Sequence, residues 1–366
     1  MVNRFYRRTR RSTWQILILP IMSTSKKVFI IGPGFIGWNV LELLIGEGYT
    51  VTGLVRRDEH ADQIKKAGAL AVKGDLNDHS LIVKHVLEHE IIIHTATADH
   101  LPSVEAVLDG IKQRAASSKP TIFIHTSGTS VLDDGAVGAF KSDKIYYDND
   151  PASINALPDT APHRQIDLAI VRAAKELGDK AKLAIMIPPE IYGFNDKHRR
   201  LTIQLPTIAR FALKHGFVGH VGKGLSVESQ IHVLDLARAY IVLLHYIEAS
   251  PSSVLLENPY FFCENGKEFS WREVAEEIGK SLKERGLLAD AEPKEFSEQD
   301  WDEIFGEFTG AVIGLNSRSR AVRLRELGWE AREKGIWESW VEDELPELLK
   351  EEGIGKTSRY AGAVAS

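Results

Sequence analysis

Between residues 27 and 126 the sequence alternates between short apolar runs and segments of helical spacing. The runs at 27–31, 49–55, 70–73, 90–95 and 121–126 read as strands. The segments at 38–46, 58–67, 79–88 and 101–116 place apolar residues three and four apart and read as helices. Few folds accommodate that rhythm. Repeated strand–helix–strand units build a parallel sheet with helices on both faces, right-handed crossovers and a ligand crevice at the strand carboxyl ends. The continuous run Ile91-Ile92-Ile93 suits a strand buried on both faces.

The rhythm then loosens. Residues 128–160 are rich in Gly, Asp, Ser and Pro and read as a long loop over the sheet edge, a frequent form of functional lid. A helix is expected at 162–177 and a sixth strand at 182–187, stopped by Pro188-Pro189. Beyond these come a helix at 201–214, a strand at 229–233 and a helix at 234–246. An apolar stretch at 260–263 precedes helices near 270–284, 317–327 and 335–350. The expected fold class is α/β: a doubly wound parallel sheet with a small α-rich C-terminal lobe. The division is a leader at 1–25, a sheet domain at 26–250 with an excursion near 194–230, the lobe at 251–350 and a flexible tail at 351–366.

Composition narrows the function classes. Net charge is −6, which gives no general support for nucleic-acid binding. The single cysteine, Cys263, excludes a disulfide framework and a cysteine-rich metal site. The leader carries five arginines and no acid, which fits a mitochondrial presequence. It equally fits an upstream extension before a true start at Met22. Its apolar run, 14–22, is too short to span a bilayer. The compartment is therefore expected to be cytoplasmic, or mitochondrial if the leader is a targeting segment.

Chemistry enters at Gly32-x-Gly34-x-x-Gly37, placed between the first strand and the first helix. In that context the pattern is a dinucleotide fingerprint: Gly32 for a tight turn, Gly34 for close approach of a pyrophosphate, Gly37 for helix–strand packing. The N–H groups of Phe35, Ile36 and Gly37 would face the diphosphate. The second strand ends in Arg56-Arg57 rather than an acid, which suits a 2′-phosphate and favours NADP over NAD. Asp75 and Leu76, after the third strand, can hold an adenine; an N-cap role for Asp75 is the simpler alternative. His79, His85, His89, His94 and His100 cluster in the sequence, and His85 and His89 stand four apart on a helix; no Glu stands between those two at the metalloprotease position and His94 falls in a strand, so no metal site is expected.

These residues, with Thr95-Ala96, His125-Thr-Ser-Gly128, Pro188-Pro-Glu-Ile-Tyr-Gly193 and Ile231-His-Val-Leu-Asp235, resemble an extended or atypical short-chain dehydrogenase/reductase of the NAD-dependent epimerase/dehydratase type. The resemblance covers about residues 26–350. It implies a Rossmann-type sheet, with the C-terminal lobe binding substrate. It also implies that Thr95 and Ala96 line the cofactor ribose and that Pro188 faces the nicotinamide carboxamide.

The family's catalytic Tyr-x-x-x-Lys is absent between 126 and 190. Aligned by distance to the sixth strand, His163 stands at the Tyr position and Asp167 at the Lys position. Gly128 takes the place of the catalytic Ser, with Ser127 beside it. Ser127 and His163 are therefore the candidate catalytic residues, with Tyr146-Tyr147 a less direct source of a proton; for His163 the plain alternative is a surface helix residue. The lead expectation is an NADP(H)-dependent oxidoreductase acting on a small organic carbonyl or conjugated alkene. The alternatives are a non-catalytic NADP(H) sensor of the NmrA-like type and a sugar-nucleotide epimerase or dehydratase. Expected partners are a small-molecule substrate and, optionally, a second copy of the chain; neither nucleic acid nor a membrane span is expected.

Overall fold

The computed structural model describes residues 26–351 and, within the leader, two short strands, Arg4–Arg8 and Trp14–Ile18, paired antiparallel. Of the leader's five arginines, Arg4, Arg7 and Arg8 fall on the first of these strands and Arg10 and Arg11 outside the described residues, and the frayed-tail reading lies almost wholly outside them. Among the described residues no helix is long and apolar enough to cross a membrane.

Strands β1 (Lys27–Ile31), β2 (Thr50–Val55), β3 (Leu70–Lys73), β4 (Ile91–His94), β5 (Thr121–Thr126) and β6 (Ala181–Ile187) form the main sheet. Helices α1 (Phe35–Gly46), α2 (Asp58–Lys66), α3 (His79–Glu88), α4 (Leu101–Ala116) and α5 (Arg164–Leu177) connect them. After β6 come β7 (Glu190–Tyr192), α6 (Gln204–His215), β8 (Val227–His232) and α7 (Val233–Ala249). The chain continues through β9 (Tyr260–Phe262), β10 (Glu268–Ser270) and α8 (Trp271–Glu284).

Seven strands pair in the order β9-β6-β5-β4-β1-β2-β3, all parallel. The strand order reverses between β1 and β4, so the crevice opens beyond Ile31 and His94, which are register partners. Alternation along the strands feeds two cores. Val28, Ile30, Ile93 and Met186 pack towards α1 and α7, whereas Phe29, Ile31, Ile92 and Phe123 face the side of α3, α4 and α5. The seventh strand, β9, comes from beyond residue 250, so sheet and lobe are interleaved in the chain.

The lobe packs α6 and α8 around Phe211, Trp271, Ile278 and Trp340. Serine at the start of α8 explains its sharp entry: Ser270 Oγ accepts from Glu273 N while the Glu273 carboxylate accepts from Ser270 N. A second sheet, β7-β8-β10, links the lobe to the main sheet. On its strands Glu190 and Glu228 are buried, close enough to Glu344 for their charges to interact, and both carboxyl oxygens of Glu190 lack a protein partner. Burial pushes all three carboxyls up, Glu228 to about 8 and Glu344 to about 7; for Glu190 the charges of the other two add to it.

Residues 128–160 differ from the expected open loop. They contain the one-turn helix Pro151–Asn155 and the two-residue strand Tyr146–Tyr147, paired with Ser319–Arg320. Buried Asp148 accepts from the backbone N–H groups of Phe262, Val322 and Arg323. Asn316 Nδ2 donates to Phe140 O and to Asp134. The segment is stitched to distant chain because its polar groups find their partners there.

Candidate active site

The turn after β1 is built around two glycines that admit no side chain. Gly32 has φ +85°, and a Cβ there would stand 2.5 Å from Ala96 N and 2.6 Å from Ala96 Cβ. A Cβ on Gly37 would collide with Gly32 O and Thr95 Oγ1. Thr95 Oγ1 donates to Gly32 O at 2.7 Å, and Gly34 N donates to the same oxygen at 2.7 Å. The end of β4 is thereby locked to the turn and to the start of α1. Thr95 thus has a fixed task in the protein, holding the glycine turn.

Gly34 caps α1 with no side-chain hydrogen bond, and the first turn carries no acid. The leading N–H groups of a helix have no intrahelical acceptor and carry the positive end of its dipole. Phe35 and Ile36 supply that turn. The arrangement fits a diphosphate.

Beside it lies a cavity of about 260 Å³, lined among others by Gly32, Leu54, Arg56, Asp75, Leu76 and His100. Ala96 also faces it. Arg57 lies outside this lining, at the exposed N-cap position of α2, and its charge acts on His60. Asp75 does not cap α3; Asp78 does, accepting from Leu81 N. Asp75 Oδ1 instead accepts from Asn77 N at 2.7 Å. His100, which the sequence offered only as part of a histidine cluster, accepts from Ser103 N through Nδ1. Its Nε2 therefore carries the proton and donates to Asn77 Oδ1 at 3.2 Å.

At the other end of the crevice the chain leaves β5 through Ser127-Gly128 into a tight turn, Thr129–Leu132. Ser127 N donates to Met186 O at 2.8 Å and Thr129 N to Pro188 O at 3.0 Å, which ties this turn to the end of β6. His163 sits at the N-cap of α5 with φ +62°, left-handed backbone that is costly for a residue with a Cβ. Its Nδ1 meets Asp99 Oδ1 at 2.6 Å and its Nε2 meets Ser130 Oγ at 2.5 Å. A Cβ on Gly128 would stand 3.2 Å from His163 Nε2, so the small residue leaves the imidazole room.

Ser127 points elsewhere: its Oγ donates to Asp167 Oδ2 at 3.1 Å. Asp167 is fully buried, and burial pushes its carboxyl up to about 7, against the opposing pull of the Ser127 hydrogen bond. His163 and Ser127 thus lie in one site, each with a carboxylate. The hydroxyl on His163 is Ser130, and neither Ser130 nor Asp99 was found from sequence. The usable signal was the second hydroxyl two residues beyond Gly128; nothing local marks Asp99.

The helical pair His85 and His89 packs against the sheet. His89 bonds His85 O and Thr52 Oγ1, and both rings lie against Phe29. His125 is fully buried beside His94, and burial holds it neutral, well below the usual imidazole range. Among the described residues no group of three or more His, Cys, Asp or Glu side chains is placed to hold a metal ion.

Comparison with known proteins agrees with this geometry. The family model for the NAD dependent epimerase/dehydratase family matches residues 28–255. The uncharacterized protein YLL056C of Saccharomyces cerevisiae is 28% identical over 85% of this chain and 97% of its own length. Oxidase ucsJ of an Acremonium species is 27% identical over 72% of this chain and 81% of its own. Among solved structures, yeast methylglyoxal/isovaleraldehyde reductase Gre2, complexed with NADPH, superposes with a TM-score of 0.59 at 18% identity, covering 88% of this chain and 98% of that one. UDP-glucose 4-epimerase of Thermotoga maritima gives the same score and identity, covering 86% of this chain and 96% of that one. The glycine turn, the seven-stranded parallel sheet and the matched span together make this chain a member of the NAD dependent epimerase/dehydratase family.

Proposed function

We propose that this protein is an NADP(H)-dependent oxidoreductase that moves hydride to or from a small organic carbonyl or conjugated alkene. The observation that carries the reading is the glycine turn at an uncapped helix N-terminus, continuous with a cavity that contains Arg56. Gly32, Gly34, Phe35, Ile36 and Gly37 would hold the diphosphate. Arg56 would pair with the 2′-phosphate, with Arg57 adding charge from the surface. Asp75 and Leu76 would hold the adenine. Ala96 would line the ribose and Pro188 the nicotinamide carboxamide, with Thr95 fixing the turn behind Ala96. The bound nicotinamide would supply or accept the hydride.

The protein's own part is to position and to move a proton. His163 has a suitable side chain for that work, and its partners hold the ring in place. Ser127 fixes Asp167 at the floor of the site. A titratable ring with a bonded carboxylate favours catalysis over a purely sensory role. The reading is in keeping with one relative named an oxidase, and a protein of similar fold is a reductase complexed with NADPH.

The test is consumption of NADPH by the purified protein with a panel of aldehydes, diketones and enones. Substrate-dependent loss of the reduced-nicotinamide absorbance, slower with NADH, is expected. Tight NADPH binding with no turnover across the panel would favour the sensor.

A further inference from the structure

We propose that the acid/base unit of this site is Ser130–His163–Asp99, in which Ser130 Oγ–H meets the substrate oxygen and Asp99 positions the ring. The proposal deepens the oxidoreductase reading and rests on it. Three features of the fold carry it. The turn after β5 presents Ser130, the residue before α5 presents His163 and the turn after β4 presents Asp99, so three crossovers converge on one side of the switch point. The contacts form a chain of 2.5 Å and 2.6 Å through the two nitrogens of a single ring. His163 adopts left-handed backbone to make both contacts, a strain expected where a site demands it.

Direction follows from the partners. Asp99 Oδ1 is an acceptor, so His163 Nδ1 carries a proton and donates it. Nε2 is then free to accept the Ser130 proton from the neutral ring or to donate from the protonated one. In the reductive direction hydride adds to the carbonyl carbon and the C=O π electrons move to oxygen. That oxygen takes the Ser130 Oγ proton, Ser130 takes the Nε2 proton of the imidazolium, and solvent reprotonates the ring. The carbonyl is reduced and the dihydronicotinamide that gave the hydride is oxidised. Ser130 is therefore a catalytic residue and Asp99 a positioning residue. Ser127, bonded to buried Asp167, stands outside the relay.

A test that needs no known substrate is reaction with a fluorophosphonate. Attack by Ser130 forms an Oγ–P bond, breaks P–F, passes the serine proton to His163 Nε2 and releases fluoride. The expected result is one adduct, located on Ser130 by mass spectrometry. His163→Gln should slow it by more than about 100-fold, and Asp99→Asn by about tenfold or more. Proton NMR of the unmodified protein supplies an independent signature. A strongly downfield imidazole N–H resonance is expected in wild type, unchanged in Ser130→Ala and absent in Asp99→Asn.

No adduct on Ser130 in folded wild-type protein, or labelling indifferent to His163→Gln, would overturn the relay. So would a wild-type spectrum without the downfield resonance. NADPH titration of the same samples separates the two claims. Retained nucleotide binding with failed labelling sinks the relay alone, and wild-type protein that binds no nucleotide sinks the oxidoreductase reading.

Discussion

A methyl group at Gly32 has nowhere to go, since Ala96 backbone and side chain already stand where it would lie and φ is +85°. Gly32→Ala should therefore cost about 2–4 kcal/mol from overpacking plus left-handed strain, and should abolish nucleotide binding. Urea unfolding and a binding titration check both; a stable variant that still binds would refute the account of the turn. Thr95→Val tests the other half of the lock. Losing the 2.7 Å bond to Gly32 O should cost about 1 kcal/mol and loosen dinucleotide binding without changing the fold. Gly32 was legible in the sequence because only glycine meets the backbone demand, and because strand and helix signals flank it; the resemblance gave Thr95 as ribose lining, and its bond to Gly32 O emerges only from the fold. Arg56 was singled out by its position at the end of the second strand, and it lines the cavity. Ser130 and Asp99 were not legible: they stand 33 and 64 positions from His163, and only the folded sheet brings them to it.

Elements with a complete local signal were read to the residue. Strands β1, β3 and β5 and helices α3 and α4 begin and end where periodicity places them. Helix α1 starts three residues earlier than its apolar spacing suggests, because Phe35, Ile36 and Gly37 already form its first turn. The segment 128–160 was read as a long loop without its short strand and one-turn helix, because groups that anchor it lie beyond residue 225. Asp148 is the clearest anchor. Its carboxyl, pushed up to about 6 by burial, still accepts from three backbone N–H groups. Asp148→Ala would strand those donors and should cost about 3 kcal/mol or more. Limited proteolysis should then cut within 133–150 while wild type resists; equal resistance would contradict the stitched loop.

The whole molecule is one doubly wound sheet with a lobe threaded from both sides of residue 250, and its junction holds a store of bound protons. Glu190, Glu228 and Glu344 have folded pKa values raised above the ordinary 4.5, so the native state binds more protons than the unfolded one. Stability on this account falls as pH rises through 7 to 8. Buried His94, at about 4, and His198, at about 3, act in the opposite sense, but their effect is complete once pH passes 6.5. The melting temperature should therefore decline between about pH 6.5 and 8, and Glu228→Gln should flatten the decline. A flat or rising wild-type profile would contradict it. Fold class was open to sequence reading because alternation is a property of the whole chain. The interleaving of β9 was not, since three buried residues carry no mark of which sheet they join. The central claim, that the crevice between β1 and β4 holds NADP(H), is tested most directly by fluorescence titration with NADPH and NADH. The account predicts tighter NADPH binding in wild type and a loss of about tenfold or more in Arg56→Ala, with NADH little changed. Failure of wild type to bind either nucleotide, or equal binding of both that ignores Arg56, would contradict it.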